Sequence, residues 1–247
     1  MRDEVPEFDP QHAQARWVAY FDLLGITDRI RAGDDLGVFE AYQQAIERLE
    51  AQGGRSASVH TTWFSDTFLL ATDDDSGPSF TQIESVARWF LFFMLQARIP
   101  LRGAIACGPM YADFRKRVFF GQAMVEAYEY GESQDWIGLV LCPSAEAAMK
   151  NLDLSLDDPT KRRHNWSYWN PVWKKAPCDA PKRIGACVPR VVISGKDLTI
   201  TVLTEMAGWC PEKARDKYAR AIEFIRSNAI RIVTPGDPQA SSEGSVE

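Results

Sequence analysis

Several things are scarce in this 247-residue chain, and each scarcity removes a class of function. Cysteine occurs five times (Cys107, Cys142, Cys178, Cys187, Cys210), an odd number with no CxxC pair, so neither a disulfide framework nor a zinc knuckle is indicated. Only three histidines are present, and His12, His60 and His164 share no ligand spacing, which argues against a zinc site or histidine-based catalysis. Basic charge is in deficit: the net charge is -6 and the pI about 5.2, where a protein that tracks a phosphate backbone carries a basic excess, so no nucleic-acid partner is expected. Long apolar runs are missing as well. The most apolar, WFLFFML from Trp89 to Leu95, falls well short of the roughly 20 residues of a membrane span, and reads as a buried helix turn. The N-terminus MRDEVPEFDPQHAQAR is acidic and lacks the apolar core of a signal peptide, so a cytoplasmic protein with reduced thiols and no membrane span is expected.

What remains is a chain of 45% hydrophobic content, enough for one sizeable core. WVAYFDLL (17–24) reads as a buried strand ended by Gly25, and Leu36, Phe39, Ala45, Ile46 and Leu49 fall at helical spacing, with Tyr42 as a core residue. SVHTTWFSDTFLLAT reads as two strands joined at Phe64-Ser65-Asp66. Ser79-Phe80-Thr81-Gln82 has the form of a capping box, and the helix it opens runs on to about Arg98. LRGAIACGPMYA and RVFFG read as a strand and its return around Arg115-Lys116-Arg117, QAMVEAYEYGES as a helix ending at Gly131, and WIGLVLC as a strand. The order β-α-β-β-α-β, then hairpin, helix and strand, points to an α+β fold with a partly antiparallel sheet and helices on one face. Residues 151–189 read as a polar surface excursion carrying Trp166, Trp169 and Trp173, VVISG and LTITVLT as strands, and EKARDKYARAIEFIRSNAIRIV as a helix or helix-strand end. The expected organisation is a tail (1–14), one domain (15–235) and a disordered tail (236–247).

Two carboxylates stand out. Asp22 lies inside an apolar strand, and Asp66 at a hairpin tip between Phe64 and Phe68. An unpaired buried charge is costly, so each aspartate either caps a turn or meets an arginine, or the two bind divalent cations together. In a β-α-β-β order the end of the first strand and the hairpin are neighbours, so the pair can converge. Leu24-Gly25-Ile26-Thr27 follows Asp22 directly, and a glycine turn entering a helix offers backbone N–H groups to phosphate oxygens. Metals plus an anion cradle suit phosphoryl chemistry.

WVAYFDLLGIT, WFSDTFLLAT, LRGAIACG and FFGQAMVEAYEYGES, in that order between Trp17 and Ser133, resemble the first strand, metal hairpin, following strand and dimer-interface helix of class III nucleotidyl cyclases. The resemblance implies a ferredoxin-like βαββαβ core with an added hairpin arm, helix and C-terminal extension. It also implies two Mg2+ or Mn2+ ions held by Asp22, Asp66 and the Leu23 carbonyl, a nucleoside triphosphate substrate, and a homodimer with composite active sites. The purine-reading lysine of that family falls at Thr62, a second base-reading position at Val118, and the asparagine and arginine of the interface helix at Val125 and Glu129. All four differ.

In these departures, in the RGAI strand and in an EAYE-type helix, the sequence is most similar to the bacterial Pycsar pyrimidine cyclases. That implies cyclic UMP or cyclic CMP as product, UTP favoured over CTP, and a second messenger of antiphage defence read by a downstream cyclic-nucleotide-sensing effector. Positive charge for the triphosphate then falls to Arg102 first and to the Arg115-Lys116-Arg117 arm second, with Thr62 free to touch a base edge. The alternatives are an adenylate or guanylate cyclase, or an inactive cyclase-like module that binds nucleotide without turnover.

Overall fold

The computed structural model describes residues 13–49, 59–116, 118–154, 156 and 166–228, with the backbone alone at Leu49. β1 (Gln14–Leu23) is the central strand, pairing antiparallel with β3 (Thr67–Thr72) on one side and with β4 (Leu101–Asp113) on the other. β2 (Val59–Phe64) lies outside β3, which completes the order β2-β3-β1-β4 of the expected βαββαβ core. Its crossovers are α1 (Ile26–Arg31) with α2 (Asp35–Leu49), and α3 (Gly77–Gln96). β5 (Val118–Gly121) folds back on the far end of β4 as the expected arm, followed by α4 (Gln122–Ser133) and by β6 (Gly138–Leu141), which is parallel to β4. Arg117 and the two tails, 1–12 and 229–247, lie outside the described residues, as do the last five residues (229–233) of the predicted C-terminal element.

Successive residues of β1 point to opposite faces. Trp17 and Phe21 turn to α3, with ring contacts to Phe80 at 4.6 Å and Phe90 at 5.2 Å, while Tyr20 turns to α4 and meets Tyr128 edge-on at 5.4 Å. Helices therefore cover both faces, not one as expected. Spacing within a helix reveals its apolar stripe, but the face of the sheet it covers depends on crossovers that the stripe does not encode. α4 also runs through Gly131 to Ser133 instead of ending there. A Cβ on Gly131 would stand 2.5 Å from Tyr20 Cδ1, so this glycine permits close packing rather than terminating the helix.

Three further expectations change. The N-cap of α3 is Ser76, whose hydroxyl accepts from Ser79 N–H, and Gly77 and Pro78 form the first turn that the capping-box reading excluded. LTITVLT is not a strand: α6 (Leu198–Trp209) begins there, capped by the Asp197 carboxylate on Ile200 N–H at 2.9 Å. Its alternating Leu198, Ile200 and Val202 mimic a strand, while the residues it buries, Thr199, Val202, Leu203 and Met206, follow helical spacing. Of VVISG, only Val192–Ile193 is a strand (β9), paired with Lys196–Asp197 (β10).

The supposed excursion also joins the domain. It is preceded by α5 (Pro143–Asn151) and contributes β7 (Trp166–Trp169) and β8 (Ile184–Cys187), which extend the sheet beyond β6. Trp166 is buried and donates to Glu84 Oε1 of α3 at 2.8 Å, and Trp169 stacks on Trp136. A polar, proline-punctuated stretch reads as a loop, yet these rings anchor it to the core. α7 (Glu212–Ser227) seals that end through Phe224, which packs edge-on against both Trp136 and Trp169.

Candidate active site

Register decides what meets on the α4 face of the sheet. Asp22 stands opposite Thr67 of β3 and Arg102 of β4; Tyr20 stands opposite Leu69 and Ala104; Leu69 in turn stands opposite Thr62 of β2. Asp22, Tyr20, Thr62 and Arg102 therefore share one face. The hairpin tip is a two-residue turn, Ser65–Asp66, with Ser65 at φ 57, and Leu23 N–H donates to Asp66 O at 2.9 Å. The end of the first strand and the tip are thus physically joined, as the sequence order required.

Around Asp22 lies a buried polar network. Arg102, 2% exposed, donates from Nε to Asp22 Oδ2 at 2.8 Å, with Nη2 2.6 Å from the same oxygen. Nη2 also reaches Glu132 Oε2 at 2.8 Å, and Nη1 donates to Gln134 O at 2.6 Å. Tyr20 donates its hydroxyl proton to Glu132 Oε1 at 2.9 Å. Gln134, fully buried, is held in turn: its Nε2 donates to Gly103 O and Tyr130 O, and its Oε1 accepts from Trp136 Nε1. Burial pushes the Asp22 carboxyl up, and Glu132 and Asp66 add to this; Arg102 opposes them and is outweighed. Ionised Asp22 is therefore disfavoured where it lies, a cost that a bound cation would offset.

The donor set fits divalent cations of the magnesium type. Among the described residues no group of three or more His, Cys, Asp or Glu side chains could cage a metal. Two carboxylates and a backbone carbonyl, completed by substrate phosphates and water, are what such ions use. Arg102 engages Oδ2 of Asp22, leaving Oδ1 as the oxygen for another ligand.

The other expected residues fall differently. Gly25 takes the left-handed conformation (φ 76) as the N-cap of α1, but Leu24 N–H is already committed to Pro100 O at 2.8 Å, which leaves Gly25, Ile26 and Thr27 as the backbone donors of that turn. Ile26 is buried and Thr27 exposed. Thr62 lines an apolar groove with Val18, His60, Leu69, Met110, Phe119 and Met124. Arg115 and Lys116 are exposed at the tip of the β4–β5 arm. From residue 102 to residue 113 strand β4 spans roughly 36 Å at ~3.3 Å per residue, so the arm does not reach the Asp22 of its own chain. Glu132, Gln134 and Tyr20 were not anticipated. Glu132 sits at a helix end where an acid reads as a solvated charge, and only the β4–α4 contact reveals its role.

No protein-family model matches the chain, and no curated protein matches it. Solved structures do. The monomeric guanylyl cyclase domain of the RhoGC fusion protein from the aquatic fungus Blastocladiella emersonii superposes with a TM-score of 0.53 at 13% identity, covering 75% of this chain and all of that one. The adenylyl cyclase CyaB from P. aeruginosa gives 0.53 at 10% identity over 74% of this chain and 97% of its own. Adenylate cyclases from Trypanosoma brucei in their monomeric state give 0.52 at 12% identity over 76% and 94%. At these identities the likeness concerns architecture: the chain has the α+β fold of class III nucleotidyl cyclase catalytic domains.

Proposed function

We propose that this protein is a metal-dependent nucleotidyl cyclase that closes a pyrimidine nucleoside triphosphate, UTP in preference to CTP, into its 3′,5′-cyclic monophosphate with release of pyrophosphate. The observation that carries the reading is the meeting of Asp22 and Asp66 at the joined ends of β1 and the β2–β3 hairpin within a cyclase fold. Asp22, Asp66 and the Leu23 carbonyl would hold two Mg2+ or Mn2+ ions. Bound there, divalent ions lower the pKa of the ribose 3′-hydroxyl and neutralise phosphate charge. Arg102 is a positioning residue in this scheme: its guanidinium, fixed by Gln134 O and Glu132, sets the orientation of the Asp22 carboxylate. Its Nε, Nη1 and Nη2 are each engaged in this network.

The side chains around Thr62 support the pyrimidine preference: they are mostly apolar, and by the sequence resemblance a threonine stands where a purine cyclase places a base-reading lysine. A site lacking the partner groups of a purine base discriminates against it.

Two observations support a two-fold homodimer with composite sites. Val118, Phe120, Val125 and Tyr128 are about half exposed along β5 and α4, as is Trp63 on the hairpin, while Phe64 is 84% exposed. The arm bearing Arg115 is too far from its own Asp22 and so can serve only the site of a partner. The product would be read by a downstream cyclic-nucleotide-sensing effector in antiphage defence, as the sequence resemblance implies.

The test is incubation of the purified protein with each of the four nucleoside triphosphates and Mn2+, with the product identified by mass. Cyclic UMP or cyclic CMP plus pyrophosphate is expected. Binding of triphosphate with no cyclic product from any of the four would instead favour the inactive-module reading.

A further inference from the structure

The Trp-rich segment carries a lysine alongside the end of α4. Residues 172–174 run antiparallel along the end of α4: Asp135 N–H donates to Val172 O at 2.8 Å, Lys174 N–H donates to Ser133 O at 2.7 Å, and Gln134 bridges to Trp173. Trp173 locks the register by standing edge-on to Tyr130 at 5.7 Å. Lys174 is thereby tied to the residue that follows Glu132, the carboxylate shared by Arg102 and Tyr20. Burial and the nearby charges of Arg102 and Lys217 disfavour its ammonium while Glu132 and Asp22 attract it, and among the described residues that ammonium makes no ion pair or hydrogen bond. The neighbouring lysine differs. Lys175 lines a cleft of about 680 Å3 walled by Glu126, Glu129, Glu132 and Asp179, where an anion would be repelled.

The other local cations are committed. Arg102 is occupied by Asp22, Glu132 and Gln134, and Lys217 and Arg220 both pair with Asp135. α4 contributes no positive charge at Val125 or Glu129. A polyphosphate approaching Asp22 and Asp66 meets carboxylates on several sides, and Lys174 is an ammonium among the described residues that could offset them.

We propose that Lys174 is a substrate-binding residue of the Asp22 site, its ammonium donating to the polyphosphate of the nucleoside triphosphate. This rests on the cyclase reading for the identity of the substrate, but the chemistry it requires is only a polyphosphate. An ammonium that donates to phosphate oxygens is a charge-assisted bond, so its loss weakens binding about tenfold or more.

Calorimetry with UTP and with inorganic tripolyphosphate, each with Mn2+, compares wild type with Lys174→Ala, Lys174→Arg and Lys175→Ala. Lys174→Ala is expected to raise Kd for both ligands about tenfold and to raise KM for UTP by a similar factor, with Lys174→Arg restoring most of the affinity and Lys175→Ala close to wild type. Unchanged Kd in Lys174→Ala, or an equal loss in Lys175→Ala, overturns the proposal even if the wild type makes a cyclic nucleotide. Tripolyphosphate binding that depends on Lys174 in a protein that cyclises nothing would instead leave the proposal standing and remove the cyclase reading. Wild-type protein that binds neither ligand removes both. Melting temperatures matched across the variants exclude loss of fold as the cause.

Discussion

Arg102 and Asp22 face each other in register across β4 and β1, with Nε and Nη2 of the arginine converging on a single carboxylate oxygen at 2.8 and 2.6 Å. Removing the arginine strands Asp22 and leaves Glu132, among the described residues, with the Tyr20 hydroxyl as its hydrogen-bond partner. Breaking one side of a buried pair costs about 3 kcal/mol or more, and part of that is offset here because the Glu132 side chain is 35% exposed. Arg102→Ala is therefore expected to lower Tm by roughly 4–10 °C as well as turnover, and Arg102→Lys to recover some stability without recovering the two-donor grip on Asp22. Thermal melts by circular dichroism check this; an unchanged Tm would remove the positioning role.

Asp22→Asn and Asp66→Asn are each expected to abolish pyrophosphate release with Mg2+ or Mn2+ while the protein stays folded, because each takes a charge from a shared cation site. Near wild-type activity in either variant would show that the site has been placed wrongly.

Cation affinity should rise with pH. Burial, with Glu132 and Asp66, raises the Asp22 carboxyl above its ordinary value, so the native state without cations holds a proton that the unfolded chain has already lost. Asp22 thus makes the cation-free protein less stable as pH climbs from the ordinary aspartate pKa of about 3.9 through the raised native value, and the ionised carboxylate that cations need appears over that same window. Mn2+ titrations at stepped pH should show tighter binding and proton release across it. Affinity independent of pH there would contradict the raised pKa.

Subunit complementation tests the proposed composite site. Arg102 belongs with Asp22 in one chain, so mixing Asp66→Asn with Arg102→Ala should restore nothing. Asp66→Asn with Arg115→Ala should restore about a quarter of wild-type activity, since half of randomly paired dimers carry one intact site of two. The comparison requires that Arg115→Ala alone is inactive. Recovery in the first mixture would place Arg102 across the boundary instead, and activity of Phe120→Glu as a monomer by sedimentation would end the dimer.

Gly131→Ala is expected to cost about 1–3 kcal/mol as an overpacking change, because the new methyl would lie 2.5 Å from the Tyr20 ring whose hydroxyl supports Glu132. A variant with wild-type stability and activity would show that α4 can lift away from β1 without consequence.

The sequence alone determined the order of the core elements and singled out the two aspartates. Strands such as WVAYFDLL and TFLLAT carry their burial pattern locally, and an aspartate inside an apolar run is conspicuous without any knowledge of its neighbours. It could not determine which faces the helices cover, since Tyr20 and Phe21 are equally apolar and only packing sends one to α4 and the other to α3. LTITVLT fits both periods over seven residues, and the choice fell to the Asp197 cap and the helical burial of Val202, Leu203 and Met206. The partners of Asp22 lie beyond any local signal: Arg102 is 80 residues away, Glu132 a further 30. Those distances are closed by strand register and by the close approach that Gly131 allows, and the pairing of Arg102 with Asp22 and Glu132 exists only once they are closed.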